Sequence, residues 1–314
     1  MSFTISSRTL SNGLEIPLLG LGTSTIGDIY EGTCRAIDAG YRLIDTASLY
    51  QNEGEIGRAV ADKIKDGTIK REDLFIVTKI HVNSHRRGAF AKDFEGSLAR
   101  LRVDYVDLYL IHWPIALAEN CSGKITDGPI VFDDDADYLT VWAMMEELLE
   151  SGKVRAIGLS NFNKAQIERI LKSCKIRPVV NQVECHLVFN QERLRRYCAQ
   201  QGILLMAFSP LGAPGRTIIR TDAPKLLEND VVVELARKYG KTPGQILLRH
   251  TIQRNIIAIP KSANPQRIRE NIDIFDFALE PADVERLNAQ DKNLRLVENK
   301  VWEAGKYYPF HDDY

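Results

Sequence analysis

The 314-residue sequence has little that would tie it to nucleic acid, to membranes or to an oxidising compartment. Its five cysteines, Cys34, Cys121, Cys174, Cys185 and Cys198, are an odd number, and no two form a CxxC pair. That spacing offers neither a disulfide framework nor a zinc site, so a reducing, cytoplasmic setting and no bound metal are expected. Charge of neither sign prevails: 41 Lys and Arg stand against 42 Asp and Glu, for a formal net charge of −1. Such a balance gives no general attraction to nucleic acid or to an anionic membrane. Residues 1–12 lack the basic start and apolar core of a secretory signal. Apolar runs such as residues 203–208 are far too short to cross a bilayer. No low-complexity stretch or Pro/Gly/Ser-rich linker divides the chain, and it carries no phosphate-binding P-loop and no nucleophile elbow.

What is present is an ordinary globular composition, 44% hydrophobic and 26% charged, enough for a sizeable core. Asn12-Gly13 lies between two short alternating segments, residues 8–10 and 14–16, and predicts a tight N-terminal hairpin over about 6–16. Eight apolar runs follow at a regular beat: residues 18–22, 42–45, 74–79, 106–112, 154–160, 179–183, 203–208 and 256–260. Segments of helical spacing alternate with them. In residues 138–151, Leu139, Trp142, Met145, Leu148 and Leu149 recur at three and four, with Glu146, Glu147 and Glu150 between. Residues 91–101 and 191–200 read the same way. Gly40, Gly152 and Gly202 each stand where a helix C-terminal cap is needed, just before the next strand.

Eight strand–helix units in this length predict one (β/α)8 (TIM) barrel domain over 1–314. An open doubly wound sheet is the rival, but it usually opens with a glycine-rich fingerprint. Gly20-Leu21-Gly22 lacks the third glycine at the required spacing, and Gly27 comes too late. In a barrel the site lies at the C-terminal strand ends. There the second strand delivers Asp45 and then Tyr50, the third Lys79, and the fourth His112. Singly, each has a structural explanation: a turn cap, a surface cation, a satisfied core histidine. Together they aim an acid, a phenol, an ammonium and an imidazole at one rim.

The segments Gly-Tyr-Arg-Leu-Ile-Asp45-Thr-Ala-Ser-Leu-Tyr50-Gln-Asn-Glu, Val-Thr-Lys79 and Asp-Leu-Tyr-Leu-Ile-His112-Trp-Pro resemble the aldo-keto reductase family. So do Ile-Gly-Leu-Ser160-Asn161-Phe, Ala-Phe208-Ser-Pro-Leu-Gly and Ile-Pro-Lys261-Ser262, in the family's order and spacing from about residue 13 to 314. The resemblance implies a catalytic tetrad of Asp45, Tyr50, Lys79 and His112, and NADPH as cofactor. Hydride delivery to a carbonyl leaves an alkoxide that needs a proton, and a free tyrosine, with a pKa near ~10, is a weak acid at neutral pH. A buried ammonium beside it favours the phenolate and so strengthens the acid. Tyr50 is therefore read as the general acid and Lys79 as its tuning cation. Asp45 holds Lys79 charged, and His112 orients the carbonyl.

By the same resemblance the nicotinamide carboxamide meets Ser160, Asn161 and Gln182, with Thr23 as a weaker contact; Ser160-Asn161 would serve equally as a helix N-cap. Phe208, where the family often has tyrosine, keeps an aromatic face for stacking, with Ser209 and Leu211 beside it. Asn264 reads as an N-cap and Pro265 as the first residue of a helix whose N-terminus attracts anions. Lys261, Ser262 and Arg267 there make a site for the 2′-phosphate, with Glu270 and Asn271 facing the adenine and Arg269 left to solvent. Residues 120–137, 212–229 and 292–314 are expected to shape the substrate pocket, the last carrying Trp302, Tyr307, Tyr308, Phe310 and Tyr314. Leu49 and Trp113 belong to the same pocket. Ser24 and His81 stand where many relatives carry tryptophan, which predicts a wider, more polar pocket. The expected partner is a small-molecule carbonyl, taken by a monomer. Two rivals remain: an aldolase using Lys79 as a Schiff base, and a cofactor-binding regulatory or structural protein with little turnover.

Overall fold

The computed structural model describes residues 6–24, 27–214 and 223–312. Strands β1 (Ser7–Thr9) and β2 (Glu15–Pro17) form an antiparallel hairpin in which Thr9 faces Glu15. The strands sit one residue outside the expected segments. The Leu10 N–H reaches the Leu14 carbonyl at 2.8 Å, and Gly13 has φ +87°. The connection is thus a three-residue loop closed by a left-handed glycine, not a two-residue turn.

The eight predicted runs all become strands: β3 (Leu21–Gly22), β4 (Leu43–Asp45), β5 (Phe75–Ile80), β6 (Leu108–Ile111), β7 (Ile157–Ser160), β8 (Val180–Glu184), β9 (Leu204–Phe208) and β10 (Ile257–Ile259). Each pairs in parallel with the next. A parallel bridge between Leu19 and Ala258 joins the first to the last, with the Gly22 N–H on the Pro260 carbonyl at 3.0 Å. The sheet therefore closes into a barrel. A Cβ on Gly22 would lie 2.7 Å from the Ile259 carbonyl oxygen, so only glycine permits that seam. All six residues of β5 are buried, as expected for a strand covered on both faces.

Among the described residues ten α-helices surround these strands: α1 (Ile29–Asp38), α2 (Glu53–Lys65), α3 (Arg87–Leu101), α4 (Tyr138–Glu150), α5 (Lys164–Ser173), α6 (Glu192–Gln200), α7 (Asp230–Tyr239), α8 (Pro243–Gln253), α9 (Pro265–Ile272) and α10 (Pro281–Asn288). Gly40, Gly152 and Gly202 have φ of +102°, +75° and +73°, the left-handed turn that ends a helix before a strand. Helices α7 and α10 are additions to the strand–helix repeat. Lys238 binds Glu280 and Asp283, each at 2.7 Å, and joins the two.

Helices α2 and α3 approach closely at Gly57, where a Cβ would meet the Arg100 carbonyl oxygen at 2.3 Å and the Leu101 backbone at 2.6 Å. Backbone cannot swing aside as a side chain can. Gly57→Ala should therefore destabilise the fold by about 1–3 kcal/mol, read as a lower melting temperature; an unchanged transition would show that the two helices slide freely.

Candidate active site

Local structure sets the rim. After β4 the chain enters a short 3-10 turn, Ser48–Tyr50, that ends with Gln51 in the left-handed region. That turn lifts Tyr50 over the barrel mouth. Lys79, one residue from the end of β5, is completely buried, and its Nζ donates to Asp45 Oδ1 at 2.7 Å and to the Thr46 carbonyl at 2.8 Å. The same ammonium lies 5.1 Å from the Tyr50 ring centre. Burial works against the Lys79 charge, but Asp45 and Tyr50 more than offset it and hold the lysine above its ordinary pKa. Burial likewise pushes the Asp45 carboxyl up, opposed by Lys79 and by Gln182, whose Nε2 donates to Asp45 Oδ2 at 2.6 Å. A Schiff-base nucleophile needs a free neutral amine, whereas this Nζ is held against Asp45 and the Thr46 carbonyl, which counts against the aldolase reading.

His112 follows β6, with its ring 5.5 Å from that of Tyr50 in an edge-to-face arrangement. Burial, then Lys79 and His81, drive its pKa well below the ordinary histidine value. It is neutral at pH 7, suited to donating a hydrogen bond but not to supplying the proton. The four residues predicted to act together are thus together.

Thr23 is buried and donates its hydroxyl to the Asp45 carbonyl at 2.8 Å. Ser160 ends β7, and Asn161 follows it with φ +62°. Asn161 Nδ2 donates to the His112 carbonyl at 2.9 Å and to Ser160 Oγ at 3.2 Å. Its Oδ1 is buried with no partner among the described residues. A carboxamide NH2 is the donor that such an orphaned acceptor lacks, so the site fits a nicotinamide. Neither Ser160 nor Asn161 caps a helix. That place belongs to Asn163, which forms a reciprocal box with Gln166 at the start of α5, because a left-handed Asn161 cannot adopt the extended N-cap conformation.

Gln182 differs from expectation in one respect: its Nε2 is committed to Asp45 and to Met206 Sδ, at 2.9 Å, leaving only its oxygen for a ligand. Phe208 is half-buried at the end of β9; Ser209 follows in the left-handed region, and Leu211 packs on the adjoining core.

At α9, Asn264 Oδ1 accepts the N–H groups of Gln266 and Arg267, each at 3.0 Å, and Pro265 takes the first position. Those two N–H groups are already capped, and the side chains of Lys261 and Arg267 beside them are exposed. Ser262 is buried and accepts from the Asn264 N–H at 3.2 Å. Its hydroxyl serves the turn, which reduces its value as an anion ligand. Glu270 accepts from Gln266 at 2.6 Å, Asn271 is buried and Arg269 exposed.

On the substrate side, Ser24, Leu49 and His81 are partly open, whereas Trp113 and Trp302 are each 3% exposed. The two indoles meet edge to face at 5.2 Å, and Trp302 Nε1 donates to the Gly123 carbonyl at 3.2 Å. Trp302 thus pins the tail to the 120–137 loop, and it meets a ligand only if that contact opens. Phe310 packs on Trp113 at 5.3 Å, and Arg295 sits 3.5 Å above the Phe310 ring centre. Tyr308 joins this aromatic cluster, but Tyr307 leaves it to pack on Tyr138 at 5.0 Å and to bond Asp137. Tyr314 and residues 215–222 of the 212–229 loop lie outside the described residues. His81 Nδ1 accepts the Asn83 N–H at 3.2 Å, and burial lowers its pKa, so the proton of a neutral ring rests on Nε2. No group of three or more His, Cys, Asp or Glu able to hold a metal occurs among the described residues, and no helix there is long and apolar enough to cross a membrane.

A parallel eight-stranded barrel with a phenol, a buried ammonium–carboxylate pair and a neutral imidazole at its mouth defines an NADP-dependent oxidoreductase of carbonyl compounds. Residues 19–292 match the model of the Aldo/keto reductase family. The rat protein named Aldo-keto reductase family 1 member C18 is 41% identical over the whole of both chains. An aldose reductase from Schistosoma japonicum superposes with a TM-score of 0.91 at 36% identity, covering 99% of this chain and 100% of that one. A Bombyx mori aldo-keto reductase in complex with NADP gives 0.90 at 39%, covering 97% and 99%. The chain belongs to the aldo-keto reductase family, and its cofactor is NADPH/NADP+.

Proposed function

We propose that the protein acts as a monomeric, cytoplasmic reductase of small aldehydes or ketones, on one barrel domain over 1–314, with Tyr50 as the proton donor. The observation that carries this reading is the fully buried Lys79, paired with Asp45 at 2.7 Å and 5.1 Å from the Tyr50 ring centre. When bound, NADPH supplies a hydride to the carbonyl carbon. His112, neutral, orients the carbonyl oxygen through a hydrogen bond. Tyr50 hands its proton to the alkoxide oxygen, and Lys79 offsets the charge left on the phenolate, with Asp45 offsetting Lys79 in turn. Ser160, Asn161, Gln182 and Thr23 would hold the carboxamide, and Phe208, Ser209 and Leu211 the nicotinamide ring. Lys261 and Arg267, with a minor share from Ser262, would hold the 2′-phosphate, and Glu270 and Asn271 the adenine.

Ser24, Leu49, His81 and Trp113 line the substrate side, with Trp302 reached only when the tail lifts. His81 presents a smaller and more polar ring than an indole would, with its N–H donor on Nε2, which favours carbonyls that carry further oxygens. No observation favours a binding-only protein.

The test follows NADPH oxidation across aldehydes and ketones, with NADH in parallel, for wild type and for Lys261→Ala with Arg267→Ala. Wild type should consume NADPH with at least one carbonyl. The double variant should lose about 2–3 kcal/mol of preference for NADPH over NADH, roughly 30- to 150-fold in kcat/KM at about 1.4 kcal/mol per tenfold. An unchanged ratio would remove both residues from the phosphate site.

A further inference from the structure

One largely covered carboxylate outside the tetrad joins the two walls that carry it. Asp93, on the inner face of α3, has a side chain only 11% exposed. Its Oδ1 accepts the Ser48 hydroxyl at 2.5 Å, and its Oδ2 accepts the His81 N–H at 2.9 Å. Ser48 opens the 3-10 turn that ends in Tyr50, and His81 lies two residues beyond Lys79. A single side chain therefore ties the segment bearing the phenol to the segment bearing the ammonium. Beneath it, Arg100 Nη2 lies 3.9 Å from Asp93 Oδ1, donates to Ser48 Oγ at 3.4 Å and pairs with Glu53 at 2.7 Å. Glu53, fully buried, accepts the Thr78 hydroxyl at 2.6 Å, so the network returns to β5 one residue before Lys79.

We propose that Asp93 is a positioning residue for the reduction: its carboxylate clamps the Tyr50 turn to the exit of β5 and so fixes the phenol over the Lys79 ammonium. The physical demand is plain. A 3-10 turn of three residues has little hydrogen bonding of its own, and proton transfer is sensitive to misplacement on the scale of 1 Å. Two charge-assisted hydrogen bonds to one rigid helix supply the missing constraint. The inference rests on Tyr50 being the proton donor.

The experiment measures kcat and KM for 4-nitrobenzaldehyde, and the Kd for NADPH by fluorescence, in wild type, Asp93→Ala, Asp93→Asn, Ser48→Ala and the Ser48→Ala Asp93→Ala double variant. Asp93→Ala should lower kcat by about 10- to 100-fold, while NADPH Kd and aldehyde KM stay within about twofold. Asp93→Asn should recover most of the loss, because its oxygen still accepts from His81 and its NH2 donates to Ser48 Oγ. The double variant should be no slower than Asp93→Ala, since both changes cut the same clamp. Wild-type kcat in Asp93→Ala overturns the proposal. So does an equal loss of NADPH affinity, which marks a scaffold effect, and so does failure of asparagine to rescue. Should Asp93→Ala not fold, Ser48→Ala decides: a fall in kcat of about 3- to 10-fold is expected from one lost bond, and wild-type kcat overturns the clamp. Tyr50→Phe in the same assay separates the two ideas: if it retains activity the acid assignment fails, and if it is inactive while Asp93→Ala is normal only the clamp fails.

Discussion

Tyr50→Phe is expected to lower the rate of NADPH-dependent carbonyl reduction by about 10²- to 10⁴-fold, the range for loss of a positioned acid. The variant keeps the ring, and with it the edge-to-face contact with His112, so the site should not collapse. What disappears is the hydroxyl beside the Lys79 ammonium. His112 cannot take over at neutral pH, because burial and the neighbouring ammonium keep it unprotonated. NADPH affinity should stay close to wild type, since Tyr50 is not among the residues proposed to touch the dinucleotide. Single-turnover measurement of hydride transfer alongside a fluorescence titration checks both halves. Full activity in Tyr50→Phe would remove it as the acid.

The second large effect concerns Lys79. Lys79→Met should lower kcat by about 10²- to 10³-fold, as when an electrostatic stabiliser is removed from a buried site. It should also weaken the fold, for a different reason. Asp45 is 2% exposed, and without its partner it is a lone carboxylate in the core, a defect of about 3–5 kcal/mol. In a chain of this length that corresponds to roughly 5–10 °C in melting temperature. Asp45→Asn in the Lys79→Met background relieves the stranded charge, so the double variant should regain much of the stability and none of the activity. Calorimetry and kinetics on the same two proteins test the claim. Recovery of both properties together would mean that Lys79 serves the fold alone.

These expectations depend on features that were unequally legible in the sequence. Hydrophobic runs located all eight barrel strands, because a strand buried on both faces leaves a continuous apolar signature, as β5 does. Helix ends were legible where the backbone demands glycine, at Gly40, Gly152 and Gly202. The hairpin slipped by one residue because Asn-Gly usually marks a two-residue turn, whereas here Gly13 closes a three-residue loop. Asn161 looked like a cap, but its left-handed backbone passes that role to Asn163, a shift that the Asn163-x-x-Gln166 spacing encodes and that a strand-end reading overlooks. Three parts of the site left no pattern. The Thr46 carbonyl on Lys79 is backbone and has no letter. The Gln182–Asp45 bond joins residues 137 apart. Asp93 looks like any charge on a helix until α3 packs against the turn before Tyr50. Likewise Trp302, read as a wall for substrate, spends its N–H on Gly123, because the register of the tail against the 120–137 loop is a tertiary matter.

The seam between β3 and β10 carries a consequence for how the molecule is made. The Lys79–Asp45 pair links strands that are neighbours along the chain, and every member of the tetrad lies within the first 112 residues. The last strand that the seam needs arrives only at residue 257. A ribosome delivers residues in order, so the edge of β3 waits unpaired while most of the barrel forms, and an open edge invites wrong partners. The proposed dinucleotide contacts, Thr23 apart, begin at Ser160 and end with α9, just past the seam. A nascent chain therefore holds an acid and its tuning cation long before it holds a place for the reductant, and becomes an oxidoreductase only as its final strand docks.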